Sequence, residues 1–122
     1  MQTPSKDDIE KYLIEFKKSW DGRVLDERQD GKNDETLAIL GITPKHRAEI
    51  IRGLTYEDYY RGPSPDHSKP SEEIWEFGKR VKQDNVYIKL KIYEINNRKK
   101  GKCLSFHIAE KPIINPFRKE SD

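Results

Sequence analysis

Val86-Tyr87-Ile88-Lys89-Leu90-Lys91-Ile92-Tyr93 is eight residues of strict alternation. Val86, Ile88, Leu90 and Ile92 fall on one side of an extended chain, and Tyr87, Lys89, Lys91 and Tyr93 on the other. A period of two sustained this long specifies a strand with one dry face and one wet face. The neighbouring sequence repeats the pattern. After a hairpin connection at 96–102, Leu104, Phe106 and Ile108 are apolar while Cys103, Ser105 and His107 oppose them. Upstream, Trp75, Phe77 and Val81 alternate with Glu76, Gly78 and Arg80. The expectation is an antiparallel sheet with Ile88, Leu90, Leu104 and Phe106 buried against the first helix.

The N-terminal half has a helical period. Ser5 can cap a helix, with Asp8 as its reciprocal partner three positions on. Ile9, Tyr12, Leu13, Phe16 and Trp20 follow at helical spacing, and Gly22 is a plausible stop. Residues 26–35 have no apolar period and read as a mobile, charged loop available to a partner. Leu37, Ala38 and Leu40 predict a short helix ending at Gly41. Thr43-Pro44 restarts a helix, because threonine caps and proline suits the first helical position. Ala48, Ile51 and Leu54 supply its buried side, and Thr55 with Asp58 caps one more turn. Residues 62–71, rich in proline and serine, read as a surface loop. The tail, 111–122, reads as an extended piece anchored by Ile113, Ile114 and Phe117. The fold class is therefore α+β, with one domain over residues 1–122.

Composition narrows the function. Hydrophobic residues make up only 33% of the 122, so the rings (10% aromatic) must supply much of the core. No apolar run approaches the roughly 20 residues needed to cross a bilayer. Residues 1–8 do not read as a signal peptide. The single cysteine, Cys103, excludes an intrachain disulfide framework and fits a reducing cytosol. His46, His67, His107 and Cys103 are too scattered to suggest a metal site. These features predict a cytoplasmic protein with no membrane partner. Residues 79–102 carry nine Lys/Arg against two acids, whereas the remaining residues carry fifteen against twenty. That local excess suits a polyanion such as RNA; a solvated hairpin would carry the same charges.

The wet face gathers the candidate chemistry. Alternation puts Glu76, Tyr87, Lys89, Lys91, Tyr93 and His107 on one side of the sheet, with Arg61 at its edge. This set suits RNA cleavage with no metal and no cofactor. Glu76 would act as general base on a ribose 2′-hydroxyl, and His107, of a residue type that titrates near 6.5, as general acid. Arg61 and Lys91 would offset phosphate charge, and Tyr87 would orient the phosphate. Lys89, Lys91, Tyr93 and Arg61 are the expected RNA contacts. Each also has an ordinary reading: Glu76 paired with Lys89 or Lys91, Arg61 paired with Asp58 or Glu57, His107 bonded to backbone.

Four short stretches resemble a known family. Gly53-Leu54-Thr55-Tyr56-Glu57-Asp58-Tyr59-Tyr60-Arg61-Gly62 is similar to the Gly-Leu…Asp-Phe/Tyr-Tyr-Lys segment of toxins named for the motility and quorum-sensing regulator. Ile74-Trp75-Glu76 resembles that family's Ile-Trp-Gln, Val86-Tyr87-Ile88-Lys89 its Val-Tyr-Leu-Lys, and Leu104-Ser105-Phe106-His107 its Val-Ser-Phe-Lys. Order and approximate spacing agree from about residue 34 to residue 111. The resemblance implies a RelE/ParE-like α+β toxin, with N-terminal helices on a curved antiparallel sheet. It implies a messenger-RNA interferase neutralised by a cognate antitoxin. The family's functional lysine, glutamine, tyrosine and second lysine fall at Arg61, Glu76, Tyr87 and His107, and only the tyrosine is identical. Glutamate for glutamine introduces a base, and histidine for lysine a group that titrates near neutrality. Three alternatives stand beside this reading: a ribosome-dependent RelE-like nuclease, a basic RNA- or protein-binding module without chemistry, and a ParE-like toxin acting on a protein.

Overall fold

The computed structural model describes residues 3–24 and 31–118. In chain order these form helix α1 (Lys6–Ser19), strand β1 (Trp20–Val24), helices α2 (Lys32–Leu40) and α3 (Pro44–Arg52), and a 3-10 turn (Tyr56–Asp58). Strands β2 (Tyr59–Pro65), β3 (Glu73–Val81), β4 (Asp84–Ile95) and β5 (Arg98–Ile108) follow. The strands make one open sheet in the order β1-β5-β4-β3-β2. Neighbours are antiparallel except β1 and β5, which run parallel. The α+β class stands, with N-terminal helices on a sheet. The sheet is mixed where a purely antiparallel one was expected, and it has five strands where alternation marked three.

The helices start where their caps dictate. Ser5 and Asp8 form the reciprocal capping box of α1, and Thr43 accepts from the His46 amide with Pro44 in the first turn of α3. Helix α1 ends earlier than Gly22, because Trp20 turns extended and begins β1 alongside Gly101. A Cβ on Gly101 would stand 3.0 Å from the Phe16 carbonyl oxygen, so only glycine lets α1 lie this close to β5. The core then fills with Ile9, Leu13 and Phe16 from α1 against Ile88, Leu90 and Phe106, all inside one apolar cluster. The Tyr12 ring stacks on Trp75 at 4.2 Å and 13°, tying α1 to β3.

Two devices at β5 were illegible in the alternation. The first is a bulge: Lys89 faces Ser105, but the next β4 residue, Leu90, faces Cys103. The extra residue, Leu104, shifts the parity. Cys103 thus enters the core, fully buried, and burial pushes its thiol up to about 12. Leu104, expected against α1, instead lines a cavity on the opposite face. The second device is α2. Strand β1 pairs with β5 only as far as Cys103. Beyond it, Asn33 accepts from the Phe106 amide (3.1 Å) and Thr36 from the Ile108 amide (3.1 Å). Two helix side chains therefore satisfy the backbone donors that the short edge strand leaves. Residues 32–35 of the expected mobile loop belong to this helix; residues 26–30 lie outside the described residues.

The expected wet face is largely roofed. Ser105, His107 and Lys91 are all buried there. The loop after β2 covers one end, and β2 itself takes in Gly62–Pro65, which the sequence reads as loop. As an edge strand it tolerates prolines that a central strand would not. The tail covers the other end. Asn115 donates to the carbonyls of Asp58, Tyr59 and Gly78, and Arg118 pairs with Asp58 at 2.7 Å. Ile113 sits where a Gly78 side chain would be, and Phe117 packs edge-on to Tyr59. Ile114, expected as an anchor, is 78% exposed. Residues 119–122 of the tail lie outside the described residues.

Candidate functional site

Register sets the site. Arg61 of β2 pairs with Glu76 of β3, Glu76 with Lys89 of β4, and Lys89 with Ser105 of β5. In the adjacent row Tyr87 of β4 lies between Gly78 of β3 and His107 of β5. Gly78 has no side chain, so the Tyr87 ring meets no cross-strand side chain there and its hydroxyl reaches Glu76.

The contacts form a chain. The Arg61 guanidinium donates through Nε to Glu76 Oε2. The Tyr87 hydroxyl donates to Glu76 Oε1 at 2.8 Å. The Tyr87 and His107 rings lie 5.2 Å apart, tilted by 33°. Arg61, Glu76, Tyr87 and His107 are therefore contiguous, as strand parity alone could not decide. Both Glu76 oxygens already accept a strong donor, and the Glu76 side chain is only 13% exposed. His107 Nδ1 lies 3.0 Å from the Ile108 carbonyl oxygen. A carbonyl only accepts, so Nδ1 carries the hydrogen and Nε2 is the second proton-handling atom.

Electrostatics follow from burial. Burial first, and then the Glu76 charge, push the Tyr87 phenol well above its ordinary 10.0. Tyr87 is thus a neutral donor at physiological pH, not a base. The hydrogen bond to Glu76 holds the Arg61 guanidinium above its ordinary value. Among the described residues, no three His, Cys, Asp or Glu side chains are grouped to hold a metal ion.

Two predicted RNA contacts stand apart from this group. Lys91 is buried, with Nζ 2.5 Å from Asp66 and 2.7 Å from Glu72. Burial opposes its charge, yet the two carboxylates hold its pKa above the ordinary value. Its ammonium pins residues 66–72 onto the sheet and is not presented as a phosphate contact. Tyr93 lies opposite Lys100 and lines a separate cavity of about 1280 Å³ with Tyr12, Trp75 and Lys99. Lys89 remains with the site, half-buried.

Two smaller cavities meet at Tyr87. One, of about 470 Å³, is lined by Glu76, Tyr87, Lys89, Ser105, Ser64 of β2 and, from the loop that follows it, His67. The other, of about 310 Å³, is lined by Tyr60, Arg61, Tyr87, His107, Lys111 and Ile113. His67, Tyr60 and Lys111 carry no sequence signal that would place them here. They sit on the loop after β2, on the edge strand β2 itself and on the tail, whose placement depends on distant anchors such as Lys91 and Gly78.

Comparison with protein-family models, with curated proteins and with solved structures yields no match.

Proposed function

We propose that the chain is a messenger-RNA interferase of toxin type, an endoribonuclease with the RelE/ParE-like curved-sheet architecture that the family resemblance implies. The observation that carries this reading is the contiguous Arg61–Glu76–Tyr87–His107 chain beside two cavities.

Arg61 and Tyr87 hold the Glu76 carboxylate with donors that equally suit a phosphate. An entering phosphodiester takes those donors and frees a Glu76 oxygen. Glu76 then removes the proton from the ribose 2′-hydroxyl. The 2′-oxygen bonds to phosphorus, and the bond from phosphorus to the 5′-oxygen breaks. His107, entering the step as the imidazolium with both ring nitrogens protonated, gives its Nε2 proton to that leaving oxygen and keeps the Nδ1 hydrogen on the Ile108 carbonyl. Arg61, Tyr87 and Lys89 stabilise the extra negative charge on the non-bridging oxygens. The products are a 2′,3′-cyclic phosphate end and a 5′-hydroxyl end.

Such an enzyme acts on the host's own messages, so a cognate antitoxin belongs to the same proposal. Purified protein incubated with defined RNA, with and without ribosomes, tests the reading. Cleavage without ribosomes, giving cyclic-phosphate ends and blocked by 2′-deoxy substitution at the cut, is the expected outcome. Cleavage only with ribosomes supports the ribosome-dependent alternative, and intact RNA in both arms overturns the enzyme reading.

A further inference from the structure

We infer that the two cavities flanking Tyr87 are subsites for successive nucleotides: the nucleoside 5′ to the cut in the cavity of Glu76, the one 3′ to it in the cavity of His107. This rests on the cleavage reading above and adds the polarity of the bound strand.

The base must reach the 2′-hydroxyl of the nucleotide whose 3′-oxygen carries the phosphate. The acid must reach the 5′-oxygen of the next nucleotide. Glu76 lines the larger cavity and not the smaller; His107 lines the smaller and not the larger. Tyr87 lines both and donates to Glu76 at 2.8 Å, so the bridging phosphate belongs at its hydroxyl. The two rows of the sheet, Glu76–Lys89–Ser105 and Gly78–Tyr87–His107, are one pleat repeat apart. A strand of RNA running along β4 therefore passes from one cavity to the other across Tyr87.

The walls differ in kind. The larger cavity offers the Ser64 and Ser105 hydroxyls and the His67 imidazole beside apolar Ile74 and Leu104. Those are groups for hydrogen-bonding the edges of an unstacked base. The smaller cavity offers the Tyr60 ring, one face of which carries the Arg61 guanidinium at 4.9 Å and leaves the other for a base, together with Lys111. That is a stacking platform with a phosphate contact beside it, tolerant of any base. Base discrimination is therefore expected upstream of the cut, and sequence-tolerant stacking downstream.

The test deletes a base and a side chain together. The substrate is a short RNA with one cut site, intact or with an abasic ribose immediately upstream or downstream. Each is cleaved under single-turnover conditions by wild type, His67→Ala and Tyr60→Ala. His67 is exposed and Tyr60 half-buried, so both variants keep the fold, which a melting curve verifies. Tyr60→Ala should slow cleavage of intact RNA about tenfold, with no further loss when the downstream base is absent. His67→Ala should behave the same way toward the upstream base alone. Coupling in the reverse sense, or no coupling in a cleaving enzyme, overturns the polarity and leaves the cleavage reading standing. Absence of wild-type cleavage overturns both.

Discussion

Tyr87 joins the parts of the site at the scale of single residues. It donates to Glu76, lies against His107 and lines both cavities. Its folded-state pKa lies above the ordinary 10.0. The unfolded chain therefore loses this proton first as pH rises. The stabilisation is whole below about pH 10 and is lost as pH climbs through the folded value. Tyr87→Phe should flatten the alkaline decline in Tm relative to wild type, at a cost near neutrality of about 1 kcal/mol for the lost hydrogen bond. A parallel alkaline decline in both proteins would contradict that origin. Lys91 shows the opposite sign through its partner. Its hydrogen bond holds the Asp66 carboxyl far below the ordinary 3.8. That stabilisation is present above about pH 4 and lost as pH falls toward the folded value. Asp66→Asn should lose part of its stability near neutrality and show a shallower acid decline than wild type. Lys91→Met should cost roughly 2–3 kcal/mol, because Asp66 then loses its cation and Glu72 keeps only the exposed Lys69. Chemical denaturation across pH measures both.

At the scale of elements, the bulge in β5 makes a prediction that unbroken alternation would get wrong. Leu90 is fully buried in the core cluster, and Leu90→Ala should cost roughly 2–5 kcal/mol. Leu104 faces the cavity side, and Leu104→Ala should cost only about 1–2 kcal/mol. Equal losses in urea denaturation would mean that Leu104 belongs to the core after all. Helix caps, the core faces of β3 and β4, and the shared face of Glu76, Tyr87 and His107 followed from spacing, because each depends on residues a few positions apart. The β1–β5 parallel pair, α2 on the β5 edge and the Lys91 clasp depend on partners far along the chain. Asn33 and Thr36 look like ordinary polar residues of a charged stretch; only the unpaired amides of Phe106 and Ile108 explain them. Parity likewise put Lys91 with the site residues and could not foresee that Asp66 and Glu72 would take its charge.

For the whole molecule, the basic excess of 79–102 divides between different jobs. Lys99 pairs with Glu15 of α1, and Lys91 is held within the fold, whereas Lys89 lines the larger cavity. RNA affinity should fall steeply with salt, because bound phosphates release counterions. Lys89→Ala should lower the salt slope by about one, and Lys99→Ala should leave it closer to wild type. Affinity titrations at several salt concentrations measure this; a slope unaffected by Lys89 would remove it from the interface. Expression of the chain alone should arrest growth, and co-expression of a cognate antitoxin should restore it; unimpaired growth with abundant soluble protein would argue against a toxin. The central claim is that Glu76 and His107, joined through Tyr87, move the two protons of one phosphoryl transfer. Single-turnover cleavage of a defined RNA without ribosomes, by wild type, Glu76→Gln and His107→Ala at matched RNA binding and folding, tests it most directly. The account predicts that each variant loses roughly 10²- to 10⁴-fold in rate. Wild-type rates from either folded variant would contradict it.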